Sequence, residues 1–363
     1  MNPSIIEVVN VAREVAWLPW AVQYFFLIGL SVGCFLLTTP WFVLRRPAWE
    51  RASRMALLGA LACGLTAPVA LLADLHQPGR FLNFYLHPNF GSWMSWGAFF
   101  IPLYLGGLML YAWLALRPDL KRLADAGGRW TGIYRALAYG GHDSLGAIRT
   151  AAVLALSGAA LVALYTGMEV MVVRARPLWD TPFLPVQFFI TAVAGAIGLV
   201  LVLDHFVGDG RAVEDAPLLR LLAATQVLVL AVGAAWLLLG ITGFSPRHAE
   251  ALAQVAPSTA WRITAVWATG SALATFWLGF FARHPAWRLT AGLVALHSAW
   301  MMRWTVFIGG QEIPKTGAGY YVYHLPLGHE GLLGIAGTAG LWLTVLILLI
   351  SVLPWAGQRR AQA

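Results

Sequence analysis

Residues 182–203 read PFLPVQFFITAVAGAIGLVLVL, twenty-two positions without a charged side chain. An α-helix rises about 1.5 Å per residue, so such a run is long enough to cross the ~30 Å of bilayer hydrocarbon. Eight further apolar runs, 17–44, 55–75, 92–116, 150–173, 221–244, 263–281, 289–309 and 331–353, carry the same signal. The first is too long for the core of a signal peptide and has no basic stretch before it, so it reads as a retained span. Of the 363 residues 59% are apolar and 11% charged, with a mean hydropathy of +0.70. Soluble domains carry about 25% charged residues. The chain is therefore predicted to be an all-α polytopic membrane protein of nine spans. Its net charge of +8 does not indicate nucleic-acid binding, because the basic residues lie in short loops between the apolar runs.

Those basic residues set a direction. Sixteen, among them Arg45, Arg46, Arg51 and Arg54 after the first span and the cluster from Arg117 to Arg149 after the third, fall on one side. Seven, Arg13, Arg80, Arg174, Arg176, Arg247, Arg262 and Lys315, fall on the other, and Arg303 lies within a span. The positive-inside rule puts the sixteen in the cytoplasm and the N-terminus outside. Gly29 and Gly33 in the first span and Gly331, Gly334, Gly337 and Gly340 in the ninth are expected to allow close helix approach. The connection 310–330, with three tyrosines and two histidines, is either a solvated turn or a docking surface.

Ionisable groups inside a membrane are costly and mark candidate sites. Asp74, Glu169 and Arg303 lie in the outer halves of their spans, and His297 lies at the middle of the eighth. Tyr165 precedes Glu169 by four residues, so both share one helix face. With His76 and Arg80 beyond Asp74, these groups are candidates to line one polar pocket. The bland alternatives are that Arg303 pairs with Asp74 or Glu169 to tie helices together and that His297 is a hydrogen-bonded core histidine. A membrane b-type haem needs two facing histidines, and His297 is alone at depth, so no haem is expected. Cys34 and Cys63 sit inside apolar runs and read as packed thiols, with no metal site.

The segment Asp74-Leu-His-Gln-Pro-Gly-Arg-Phe81 followed by Ser92-Trp-Met-Ser-Trp-Gly97 resembles the paired motif of the polysulfide reductase membrane-subunit (NrfD-like) family. There a D-L-x-x-P-x-R-F stretch ends the second helix and an S-x-M-S-W-G stretch opens the third. Tyr165 and the later Arg176-Pro-Leu-Trp179-Asp180 are a second match, and the nine-span form is most similar to tetrathionate reductase membrane subunits. The resemblance implies two four-helix bundles plus one helix. These divide as 1–173 with a quinone site, 174–309, and an outer loop with the ninth helix at 310–363. It implies a haem-free subunit of a bacterial or archaeal inner membrane. Such a subunit binds menaquinone or ubiquinone on the periplasmic side and anchors an iron–sulfur subunit and a molybdopterin catalytic subunit. At a helix 1 position where some relatives place a quinone-bonding histidine, this chain has Tyr24 beside Gln23.

Oxidising a quinol requires a proton acceptor within hydrogen-bond reach of each hydroxyl. Asp74, His76 and Tyr165 are the expected acceptors, with Tyr24 of a similar type at the same depth. Gln23, Arg80 and Arg176 are expected to contact the head group, with Trp96, Trp93 and Phe25 as an apolar wall between the first four spans. With two buried cysteines there is no local iron–sulfur cluster, so electrons must leave to a partner on the outer face. Quinone reduction in a related respiratory complex is the alternative within the same class. A secondary transporter is the rival from another; Pro68 and Pro102 interrupt helices as such proteins do, but the polar groups crowd one surface instead of the midplane.

Overall fold

Pro19, at the first helical position where its missing N–H costs nothing, opens the first long helix of the computed structural model. The structure describes residues 16–75, 77–208, 216–282, 284–313 and 320–355. Among these the long helices are α1 (Pro19–Phe42), α2 (Glu50–Asp74), α3 (Trp93–Ala126), α4 (Leu145–Met171), α5 (Phe183–Val207), α6 (Ala216–Ile241), α7 (Thr259–Phe281), α8 (Pro285–Trp304) and α9 (Leu332–Val352). No strand occurs among the described residues. The chain is a multi-pass integral membrane protein, and eight of the nine helices are long and apolar enough to cross a bilayer. The exception is α8, which holds Arg288, His297 and Arg303 and is less apolar than the rest. It runs on through a π-helical turn, Thr305–Gly309, into Gly310–Glu312.

Most of the helices pack on their neighbours in sequence, while α9 packs on α2 and α1 instead of α8. α1 lies along α2, α3 along α4, α5 along α8 and α6 along α7, while α5 also touches α1, α2 and α4. The centre of the molecule is the seam of α1, α2 and α5, where Ile28, Cys34, Phe35, Leu57, Leu58, Cys63, Ala196 and Ile197 are buried. Small residues make that seam possible. A side chain at Gly33 would collide with Ala192 and Ala196 of α5, and one at Gly59 would meet the Cys34 thiol. In α9 only part of the expected glycine stripe is used. Gly334 abuts Trp20, whereas Gly337 and Gly340 face open space.

Most of the ion pairs among the described residues gather at one end of the bundle. At the Phe42 end, Arg54 pairs with Asp119 of α3 at 2.7 Å, Arg51 with Asp204 of α5, and Arg45 with Asp143 at 2.6 Å. α3 is longer than its apolar run, because 117–126 continues as helix past Pro118, with Asp119 held by Arg54 and Arg122. At the Pro19 end Arg247 pairs with Asp180 at 3.1 Å, and the other ties run to neutral groups. Gln311 Oε1 accepts from the backbone N–H of Ala16 and Trp17, and its Nε2 donates to the carbonyls of Trp17 and Phe307. Arg176 donates to the carbonyls of Gln311 and Ile313 at 2.9 and 3.1 Å, and Trp179 Nε1 donates to that of Val306 at 2.6 Å. The α1 start, the α4–α5 connection and the end of α8 are thereby fastened together.

Candidate functional site

Near the Pro19 end three helices bring polar side chains into an otherwise apolar interior. Tyr24 lies in the second turn of α1, with no exposed surface. Tyr165 and Glu169, one turn apart on the buried face of α4, are 2% and 8% exposed. The Tyr165 hydroxyl faces Tyr24 on one side and the Glu169 carboxylate on the other, and Glu169 in turn lies within electrostatic reach of Asp74, half-buried at the end of α2. The Tyr24 hydroxyl and Glu169 Oε2 are buried without a hydrogen-bond partner among the described residues. A buried polar atom left unpaired costs on the order of 1–3 kcal/mol. Hydroxyl and carboxyl oxygens gathered in an apolar interior, with Glu169 Oε2 left unpaired, therefore suit a ligand with hydroxyl or carbonyl oxygens.

Gly97 makes this arrangement possible. The Tyr165 ring occupies the space in which a side chain at position 97 would stand, and Pro185 of α5 does the same at Gly167. Gly97 closes the Ser92–Gly97 stretch, and the motif glycine thus has a physical role, letting α3 receive the Tyr165 ring. The sequence marks Gly97 as part of the motif but not its role, because the need for glycine depends on how α4 is rotated against α3. Glu169 was visible as an intramembrane charge, but its position beside Tyr165 and Asp74 required the packed helices.

The remaining predicted residues fall elsewhere. Gln23 is buried but spends its amide on the Pro19 carbonyl of its own helix. Trp96 is 38% exposed, donates to the Phe90 carbonyl and stacks on Phe100. Trp93 is half-buried, and Phe25 packs with Trp17, Phe188 and Phe307, so the expected wall of Trp93, Trp96 and Phe25 does not form one surface. Arg80, exposed in the turn Pro78–Arg80, makes no ion pair with Asp74. Arg176 serves the backbone carbonyls of Gln311 and Ile313. His76 lies outside the described residues.

Two bland alternatives also resolve. Arg303 pairs with neither Asp74 nor Glu169; it donates to Thr191 Oγ1 and the Phe188 carbonyl of α5. His297 is exposed on the surface of the bundle, where its Nε2 accepts from Trp267 at 2.9 Å. Cys34 and Cys63 are buried free thiols. Among the described residues no group of three or more His, Cys, Asp or Glu side chains is placed to hold a metal. In the 310–330 connection, where 314–319 lie outside the described residues, the Tyr321 and Tyr323 N–H groups donate to Glu312 and Tyr320 donates to the Gln254 carbonyl.

Comparison with known proteins bears on the whole chain. A family model described as polysulphide reductase, NrfD, matches residues 7–315. The C subunit of tetrathionate reductase from Salmonella typhimurium is 34% identical over 362 residues, covering 96% of this chain and 96% of that protein. The C subunit of selenate reductase from Mesobacillus selenatarsenatis is 26% identical over 254 residues, 65% of this chain and 59% of its own length. Protein NrfD of Escherichia coli is 29% identical over 196 residues, 50% of this chain and 58% of its own length.

Proposed function

The chain belongs to the NrfD polysulphide reductase family, and from that premise we propose that it is the quinol-oxidising membrane anchor of a respiratory reductase complex, of the tetrathionate or polysulfide type. One observation carries the proposal: Tyr24, Tyr165, Glu169 and Asp74 form a line of protonatable groups from the buried interior of α1 and α4 to the half-exposed end of α2. The naming of its relatives as C subunits of tetrathionate and selenate reductases supports the assembly with catalytic and electron-transfer subunits.

A menaquinol or ubiquinol head group bound beside Tyr24 and Tyr165 would place a ring hydroxyl against Tyr165 and Glu169. Oxidation releases two protons and two electrons. Tyr165 passes the first hydroxyl proton to Glu169, and Asp74, at the membrane edge, hands it to water; the proton of the second hydroxyl then leaves through Tyr24 and Tyr165 along the same route. Tyr24 holds the second ring oxygen. The electrons go to an iron–sulfur subunit docked on the Pro19 face and then to a molybdopterin subunit. The basic residues and their ion pairs at the Phe42 end support a cytoplasmic placement of that end, with the Pro19 end periplasmic. In this reading α8 is the eighth of nine spans. α1 pairs with α2, α3 with α4, α5 with α8 and α6 with α7, while α9 leans on α2 and the two groups of four share the α1–α2–α5 seam, so the two four-helix bundles with one added helix are proposed as a division along the chain. That division runs 1–173, 174–309 and 310–363.

The test is cluster reduction in the assembled complex. On mixing with a menaquinol analogue, the complex should show rapid reduction of its iron–sulfur clusters, and Tyr165→Phe should slow it by roughly 10²-fold, the usual loss on removing an acid–base group. Unchanged reduction in Tyr165→Phe would move the site away from this cluster.

A further inference from the structure

Two buried arginines in this molecule are treated in opposite ways. Arg54, at the Phe42 end, is paired with Asp119 at 2.7 Å and with Glu50 at 3.1 Å. Arg303, in the interior and only 2% exposed, has no carboxylate partner among the described residues. Its Nη1 donates to Thr191 Oγ1 at 2.5 Å and to the Ala299 carbonyl at 3.1 Å, its Nη2 to the Phe188 carbonyl at 2.8 Å, and its plane lies over the Phe188 ring. All these acceptors are neutral. Nε is buried without a partner among the described residues. A guanidinium does not give up its proton in proteins, and a charge in hydrocarbon without a counter-charge is strongly unfavourable.

Arg303 is not sealed in. It lines a narrow cleft of about 20 Å³, room for one small polar group, whose walls include Phe25 and Gly29 of α1, Thr166 of α4, and Phe188 of α5. Gly29 leaves room for the guanidinium, since a Cβ there would sit 3.1 Å from Nη2. Ala163 and the 41%-exposed Phe189, both in the cleft lining, mark its mouth on the lipid-facing side between α4 and α5. The Arg303 cleft is distinct from the Tyr24–Tyr165–Glu169 cluster, although Phe25 and Thr166 stand next in sequence to two members of it.

We propose that this cleft is a second ligand site, entered sideways from the membrane between α4 and α5. Its ligand is an amphiphile with an anionic or carbonyl oxygen tip that Arg303 receives. Only the polar tip enters; the apolar remainder lies along Phe189 and Ala163 in the bilayer. A quinone carbonyl and a fatty-acid carboxylate share this chemistry. The proposal requires that the chain sit in a bilayer, and it does not depend on quinol oxidation at Tyr165.

Photolabelling of the full chain in nanodiscs tests it, using a decyl azido-quinone, a diazirine palmitate and a diazirine alkane without a polar tip, with labelled residues mapped by mass spectrometry. Labelling of 162–166 and 188–192 by the quinone alone, the palmitate alone or both supports the site and identifies the source of the oxygen. Arg303→Gln should lower that labelling at least tenfold. Ala163→Trp, which fills the mouth and leaves the Arg303 bonds to α5 intact, should abolish it, and it decides the matter if Arg303→Gln fails to fold. Labelling by the alkane equal to that by the polar probes, labelling that survives Ala163→Trp, or no labelling of these segments would overturn the proposal.

Discussion

The ring of Tyr165 fills the space that a side chain at Gly97 would occupy, so α3 and α4 meet there only because residue 97 is glycine. Gly97→Ala should therefore displace the Tyr165 hydroxyl from between Tyr24 and Glu169 while leaving the long apolar helices in place. Overpacking of this kind costs about 1–3 kcal/mol. The expected result is a complex that assembles at near-normal yield and oxidises quinol at least tenfold more slowly. Activity per assembled complex measures it, and full activity would show that Tyr165 can move without consequence.

How far the sequence could be read follows from what each feature depends on. A run such as 182–203 needs only length and apolarity to declare a membrane helix, and α5 appears there. Arg288, His297 and Arg303 dilute the same signal in α8, whose helicity is maintained by packing on α5. The end of α3 was hidden for a different reason: its last two turns are charged and stabilised by Arg54 from α2, a partner 65 positions away. Tyr165 and Glu169 were visible as polar groups on one helix face. Which of Asp74, Arg80 and Trp96 joins them depends on helix rotation and on the course of the 77–91 connection, which no local pattern encodes. Asp74 approaches them, whereas Arg80 and Trp96 are exposed.

Gln311 uses both ends of its amide on backbone groups, two of them N–H groups of Ala16 and Trp17. Gln311→Leu would strand those groups, at about 1–3 kcal/mol for a buried group left unsatisfied. The variant should unfold at lower temperature in detergent, by thermal fluorescence, with the largest rise in hydrogen exchange around 16–19 and 306–311. Gln311→Glu keeps the two acceptor contacts and should lose less. Equal loss in both variants would mean that the N–H contacts carry no weight.

His248, outside the spans, bonds Thr181 Oγ1 at 3.0 Å and Ser245 Oγ at 2.7 Å and ties the short helix Pro246–Val255 to the α4–α5 connection. Burial, with the Arg247 guanidinium adding to it, holds its imidazole below the ordinary range, with Asp180 partly opposing. The folded state then prefers the neutral ring. Its contribution is complete above the unfolded imidazole value, about 6.5, and is lost as pH falls through the lower folded value. The protection factors of 246–255, which remove the intrinsic pH dependence of exchange, should fall between pH 7 and pH 5, and His248→Asn should remove most of that difference. Identical protection at both pH values in the unaltered chain would contradict the assignment.

Asp119 is 7% exposed and sits between Arg54 and Arg122. Removing one member of a buried ion pair leaves the other uncompensated, typically at 3–5 kcal/mol, whereas replacing both with apolar groups is often close to neutral. Asp119→Ala should reduce the yield of folded protein sharply, softened by Glu50 at 3.1 Å from Arg54. The double variant Arg54→Met with Asp119→Leu should recover most of it. A double variant as poor as the single would show that the pair contributes more than charge cancellation.

Glu169 and Asp74 share one proton route, and their substitutions should separate its two parts. Glu169 is the inner group, with one buried oxygen unpaired beside Tyr165, while Asp74 is half-buried at the end of α2. Glu169→Gln keeps the shape and the hydrogen-bonding capacity of the carboxyl but cannot take a proton, so quinol oxidation should fall by roughly 10²-fold or more, as expected on losing a general base. Asp74→Asn interrupts the step from Glu169 to water, where a water molecule can substitute, so the loss should be smaller and partly restored by small diffusible bases such as imidazole. Arg80→Ala should change little, because the guanidinium is exposed and unpaired with Asp74. The measurement is the rate of cluster reduction by quinol per assembled complex, with and without added imidazole. Full activity in Glu169→Gln with a large loss in Asp74→Asn would invert the order and make Asp74 the direct acceptor; rescue of Glu169→Gln but not of Asp74→Asn would place Glu169 at the water side.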